Sequence, residues 1–159
     1  MKVKDLMVPI TEHLAPEDTL QQAVLTMRSA KRWHGLGVKG MVVLDDQGAL
    51  VGILAIKDIL RATIPVYLDQ KLSRYSWDGM LEEMARRVAC KKVKEFMSTE
   101  VITITADASL MACTDLLIEK NLQRLPVVDQ EGKVVGIIYI RDVYNVISQI
   151  FVDQPECPL

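Results

Sequence analysis

Aromatic side chains are scarce in this sequence, at 5% of residues, too few for a base-stacking surface. Charge of one sign is also lacking: 19 Lys and Arg stand against 21 Asp and Glu, a net of −2. That balance argues against a nucleic-acid partner, which would call for a basic face. The lysines of Lys91-Lys92-Val93-Lys94 are read instead as the polar side of a neighbouring helix. No apolar run approaches the ~18 residues of a membrane span, and Met1-Lys2-Val3-Lys4-Asp5 lacks the apolar core of a signal peptide. Cys90, Cys113 and Cys157 are odd in number and far apart, so no disulfide framework is expected and a reducing compartment fits. His13 and His34 stand alone, without a second ligand at zinc spacing. Neither G-x-S-x-G, H-E-x-x-H nor G-x-x-x-x-G-K-[ST] occurs. These absences leave a cytoplasmic, non-membrane chain with no catalytic or metal-binding constellation in view.

What the sequence does contain is a repeat. Val3-Lys4-Asp5-Leu6-Met7 returns ninety residues later as Val93-Lys94-Glu95-Phe96-Met97, with Thr19-Leu20 returning as Ser109-Leu110. Asp45 to Leu54 matches Asp129 to Ile138 at an offset of eighty-four, and Asp58 matches Asp142. The six-residue difference falls between Lys31 and Gly40, a stretch holding Gly35, Gly37 and Gly40, where a loop insertion is cheap. The chain therefore divides into repeat 1 (1–60), a connecting segment (61–92), repeat 2 (93–152) and a tail (153–159).

Both repeats read as strand–helix–strand–strand–helix, an α/β (α+β) arrangement. Thr19 and Gln22 form a capping box at a helix start. Leu20, Ala23, Val24, Met27 and Ala30 then follow at helical spacing, as Leu110, Cys113, Leu116 and Leu117 do in repeat 2. Met41–Leu44 and Leu50–Ile56 read as buried strands about a turn at Asp45–Gly48, and Asp129–Gly132 is the matching turn. Asp58 and Asp142 open the closing helices. A ~60-residue unit buries little surface alone, and strands apolar on both faces need cover on both sides. The two repeats are therefore expected to pack sheet against sheet about a pseudo-twofold axis. In the connecting segment Trp77, Leu81, Met84, Ala85 and Val88 make an amphipathic helix, whose stripe packs on the same protein or on a partner chain.

The duplicated pattern resembles the CBS domain, and the pair resembles a Bateman module. The residues that carry the resemblance are the Val-Lys-(Asp/Glu)-x-Met starts, Arg124-Leu125-Pro126-Val127-Val128-Asp129, Gly136-Ile137-Ile138 and Asp142. The resemblance implies a disc-like pair, commonly a homodimer, whose clefts between repeats bind AMP, ADP, ATP or S-adenosylmethionine. It implies regulation of a protein target rather than catalysis, with no required cofactor and with that target unidentified.

The candidate ligand residues follow from that resemblance, and each has a plainer reading beside it. Asp142 and Asp58 would accept the two ribose hydroxyls, or else cap their helices. Arg141 and Lys57 precede them, facing phosphate or simply water. Gly52 and Gly136 either relieve packing or let a ligand approach the backbone. Pro126, expected at a strand start or edge, would help wall the purine; Thr103 and Thr105 would contact the base or serve as ordinary strand residues. The family's Gly-x-x-(Thr/Ser)-x-x-Asp pattern carries a phosphate-binding hydroxyl that is Ala55 in repeat 1 and Tyr139 in repeat 2. That departure weakens the case for polyphosphates and opens the alternative of an interaction module that has lost its ligand.

Overall fold

A computed structural model describes residues 1–32, 35–64 and 79–155. Its elements in order are β1 (Val8–Pro9), α1 (Leu20–Ser29), β2 (Lys31–Arg32), β3 (Gly35–Leu36), β4 (Gly40–Leu44), β5 (Leu50–Ala55), α2 (Ile56–Ala62), α3 (Met80–Val88), β6 (Ile104–Thr105), α4 (Leu110–Glu119), β7 (Arg124–Val128), β8 (Val134–Tyr139) and α5 (Ile140–Val152). Each motif start, Val3–Asp5 and Val93–Glu95, folds as a single 3₁₀ turn.

The chain forms two compact units whose boundaries interleave the repeats: Glu12–Val101 is one, and Met1–Thr11 with Ile102–Leu159 is the other. In the 12–101 unit, α1 begins as the sequence predicts. Thr19 N–H donates to Gln22 Oε1 at 2.8 Å, and Gln22 N–H donates to Thr19 Oγ1 at 3.1 Å. Leu20, Ala23 and Met27 then face the core at helical spacing. Strands β4 and β5 pair antiparallel from Gly40↔Ala55 to Leu44↔Leu50, and Leu14 adds a parallel bridge to Val43. The core of Leu14, Leu20, Met27, Val43 and Leu54 includes Val93, the valine of repeat 2's start.

The other unit is built the same way, with the roles exchanged. Its mixed sheet has the order β1-β8-β7-β6, with β6 parallel to β7 and the remaining pairs antiparallel. Its core of Cys113, Leu117, Leu125, Val127, Ile138 and Val143 includes Val3, from the start of repeat 1. Val3 N–H donates to Ala108 O at 2.9 Å and Lys4 N–H to Ala106 O at 2.9 Å. The equivalents ninety residues on are Val93 N–H to Asp18 O at 2.8 Å and Lys94 N–H to Pro16 O at 3.1 Å. Each unit thus takes its leading segment from the opposite repeat.

The strand glycines explain why this segment lies so close. A Cβ on Gly136 would stand 2.8 Å from Val8 O and 2.9 Å from Met7 Sδ; one on Gly52 would stand 2.5 Å from Met97 Sδ and 3.0 Å from Ser98 O. Of the two readings of these glycines, close packing is the one observed, and the packed group is the methionine of the repeated start motif. Two ion-pair clusters flank the same crossings. Asp107 accepts from Lys4 Nζ at 2.8 Å and Lys2 Nζ at 3.3 Å, while Glu17 pairs with Lys94 and with Lys92. The lysines of 91–94 therefore lie past α3 rather than along its polar side, with Val93 buried between them.

Three expectations change. Where a loop insertion is expected from Lys31, two two-residue strands, β2 and β3, pair antiparallel. The segment Gly35-Leu36-Gly37-Val38-Lys39-Gly40 has G-x-G-x-x-G spacing, yet it runs into strand β4 instead of opening a helix, so it is no dinucleotide fingerprint. Pro126 lies in the middle of β7, fully buried and level with Ile137 of β8, not at a strand start. It is tolerated there because the ladder to β6 begins only at Val127, one residue beyond the missing N–H. Finally, α3 buries no residue: Val88 packs against the core, but Leu81 is 65% exposed. Trp77, His34 and Cys157 lie outside the described residues.

Two predictions follow from the crossings. Gly136→Ala should destabilise the protein by about 1–3 kcal/mol, because a methyl must displace Met7 and a strand carbonyl; urea unfolding measures it. The carboxylates of Asp107 and Glu17 are held below their ordinary values, first by hydrogen bonds and then by the charge of their lysines. They bind fewer protons folded than unfolded, so the pairs stabilise above the usual carboxylate range, near ~4, and that stabilisation is lost as pH falls through the folded-state values. Lys4→Met/Lys94→Met should therefore lose less stability than wild type between about pH 6 and pH 3, as read by urea unfolding across that range.

Candidate functional site

Each unit ends a strand and begins a helix within three residues, and the candidate aspartates sit in that first helical turn. In the 12–101 unit, β5 stops at Ala55 and α2 starts at Ile56, so Asp58 is the third helical residue rather than the first. Its side chain turns back into the protein and is 7% exposed. Oδ2 accepts the Ala55 backbone N–H at 2.8 Å, and Oδ1 accepts from Arg61 Nη1 at 3.2 Å. Both oxygens are therefore engaged in holding the helix start, which is the capping role. Lys57 beside it points to solvent.

The other unit differs at the equivalent place. Strand β8 ends at Tyr139, α5 starts at Ile140, and Asp142 is again the third helical residue. Asp142 is half-buried, and among the described residues its carboxylate has no hydrogen-bond or ion-pair partner. Arg141 is exposed next to it. Tyr139 lies directly across from Arg124 in the β7–β8 ladder, and both side chains are half-buried. A carboxylate with two open oxygens, two guanidinium groups on adjoining elements and a phenol suit a polyol bearing a negative charge.

The remaining candidates fall along the same sheet at graded distance. Thr105 is exposed on β6, level with Val128. Val128 is four strand residues from Arg124, or roughly 13 Å at the usual rise. Thr103 precedes β6 and comes nearer the Arg124 end, half-buried. Tyr139, Arg141 and Asp142 are thus brought together by one strand–helix junction, Pro126 and Thr103 lie beside it, and Thr105 stands farthest off. Two residues carry more of the arrangement than the pattern revealed. Arg61 occupies Asp58, a pairing its i+3 spacing could have signalled. Arg124, quoted within a motif, is level with Tyr139 only because of a strand register that sequence spacing does not give.

Comparison with known proteins decides the family. The CBS domain model matches residues 3–64 and again residues 93–149, most of the chain. The chain belongs to the CBS domain family. Among curated relatives, the CBS domain-containing protein YhcV of Bacillus subtilis is 29% identical over 140 residues, covering 88% of this chain and 81% of its own length. Inosine-5'-monophosphate dehydrogenase of Methanocaldococcus jannaschii is 24% identical over 142 residues, but the match spans only 23% of that enzyme. The crystal structure of CBSX2, a CBS-pair protein of Arabidopsis thaliana, in complex with AMP superposes with a TM-score of 0.68. It is 25% identical and covers 94% of this chain and 98% of that one. The mixed α/β fold is that of CBS-pair proteins. Among the described residues, no helix is long and apolar enough to cross a membrane.

Proposed function

We propose that this CBS pair is a non-catalytic, regulatory sensor of an adenosine-containing ligand, with its competent site at the β8–α5 junction. The observation that carries the reading is the contrast between the two aspartates. Asp58 is consumed by the fold, while Asp142 keeps both carboxylate oxygens open beside Arg141. The likeness to CBSX2, solved with AMP, supports an adenosine monophosphate over other ligand classes. In this reading Asp142 accepts the two ribose hydroxyls, Arg141 faces the phosphate and Thr103 adjoins the base, while Pro126, fully buried in β7, supports the strand behind the site and does not touch the ligand. Tyr139 fills the position of a small hydroxyl residue, so a single phosphate fits better than a longer chain. Lys57 and Asp58 form no second site, and Thr105 contributes least. The protein works as a cytoplasmic homodimer that passes ligand occupancy to a separate protein target.

The competing reading, an interaction module without a ligand, draws on Ala55 and on the occupied Asp58. It extends to the whole chain only if Asp142 is idle. A thermal-shift series with AMP, ADP, ATP and S-adenosylmethionine separates the two. Saturation at about 100-fold over the dissociation constant adds about 2.7 kcal/mol, which at this chain length is a rise of roughly 5–10 °C. AMP should give the shift, and Asp142→Ala should abolish it with little change in the unliganded melting point. Asp58→Ala should do the reverse, lowering the unliganded melting point while the AMP shift persists. No shift with any of the four at millimolar concentration would overturn the sensing reading.

A further inference from the structure

We propose that Met7 and Met97 are oxidation sites, and that a hydroperoxide, by converting their thioethers to sulfoxides, releases the leading segment from each unit. The proposal does not rest on the ligand reading. Each methionine seals one crossing: Met7 Sδ lies 2.9 Å from where a Cβ of Gly136 would stand, and Met97 Sδ 2.5 Å from that of Gly52. Both side chains pack against their cores yet stay half-buried, so a small oxidant reaches them. The other methionines differ. Met27 and Met41 are buried, at 4% and 3% exposure, while Met1 and Met111 stand out at 71% and 78%. Met80 and Met84 lie on α3, which buries no residue. Positions 7 and 97 alone combine access with a place in the packing of a strand.

The reaction is a two-electron oxygen transfer. A sulfur lone pair attacks the terminal peroxide oxygen, the O–O bond breaks and an S–O bond forms. The departing hydroxide or alkoxide takes the proton of the transferred hydroxyl and leaves as water or an alcohol. Sulfur is oxidised and the hydroperoxide reduced. The product is polar and one atom larger, and neither change suits the crossing. The space beside each sulfur is too small even for a methyl group. The other group crowding it is a carbonyl oxygen, Val8 O in one unit and Ser98 O in the other. A sulfoxide oxygen accepts hydrogen bonds, so it meets an acceptor there. The Ser98 and Ile53 N–H groups are already given to each other's carbonyls, at 2.9 and 3.0 Å. An acceptor left without a donor is costly to bury, so the sulfoxide is driven outward to water. Backbone bonds carry the displacement into the core: Met7 N–H donates to Val3 O and Met97 N–H to Val93 O, each at 2.9 Å. Both valines are fully buried, and the segment that leaves takes a core residue with it.

Titration of the full chain with hydrogen peroxide, followed by peptide mass spectrometry and thermal melting, tests this. Oxygen should add first at Met1 and Met111 with no change in melting temperature. It should add next at Met7 and Met97, before Met27 and Met41 react, and the melting temperature should then fall by roughly 5–10 °C. Met7→Leu/Met97→Leu, a swap that nearly keeps volume, should hold its melting temperature through the same treatment. Hydrogen exchange on the single variants locates the effect. Oxidised Met97→Leu should lose protection about tenfold in α4, β7 and β8, and oxidised Met7→Leu in α1, β4 and β5. Methionine sulfoxide reductases should restore the melting temperature of the oxidised wild type. Oxygen on Met7 and Met97 without a fall in melting temperature, or added there only together with Met27 and Met41, overturns the proposal. So does a double leucine variant that loses as much as wild type.

Discussion

The absence of a side chain at Gly136 and at Gly52 is the constraint on which the rest of the structure depends. At each glycine the chain lets another segment lie against the strand: Met7 and Val8 over β8, Met97 and Ser98 over β5. Once that segment is seated, the valine four residues before the methionine falls into the core, and Val3 and Val93 are both fully buried. The backbone of the following turn then bonds to residues 106 and 108, or 16 and 18. A motif that looks in sequence like a mere label for the start of a repeat is the part that closes the opposite core. Burying a valine side chain contributes about 1.5–3 kcal/mol, a sizeable share of the stability of a small domain.

Shared scaffolding lets the two halves diverge in use. Both keep the glycine, the crossing segment and the aspartate in the first turn of the closing helix. In the 12–101 unit that aspartate is spent on the Ala55 N–H and on Arg61. Asn145 stands where Arg61 would be in the other unit, so Asp142 meets no guanidinium from the following turn. The Arg61/Asn145 difference thus leaves the two aspartates in different surroundings on the same scaffold.

Much of this was legible in the sequence because it is local. The Thr19–Gln22 capping box, the Asp45 and Asp129 turns and the apolar faces of α1 and α4 are written in spacings of two to four residues, and the structure repeats them. What was not legible involves choosing between near-identical partners. Val3 could bond to residue 18 or residue 108 with the same chemistry, and no periodicity distinguishes them. Strand register hid the Arg124–Tyr139 juxtaposition and the burial of Pro126 for the same reason. The glycines could be read as ligand approaches because a single sequence does not reveal which backbone lies above them.

Hydrogen exchange on two valine variants tests the exchanged segments most directly. Val3→Ala opens a cavity in the core that holds Leu117, Leu125 and Ile138 and should cost about 1–3 kcal/mol. The account predicts that protection then falls in α4, β7 and β8, ninety or more residues away in sequence, ahead of α1, β4 and β5 of its own repeat. Val93→Ala should give the mirror result, weakening α1, β4 and β5 first. If each variant instead loosened the repeat in which it is written, the crossing of the leading segments, and the role of the glycines with it, would be contradicted.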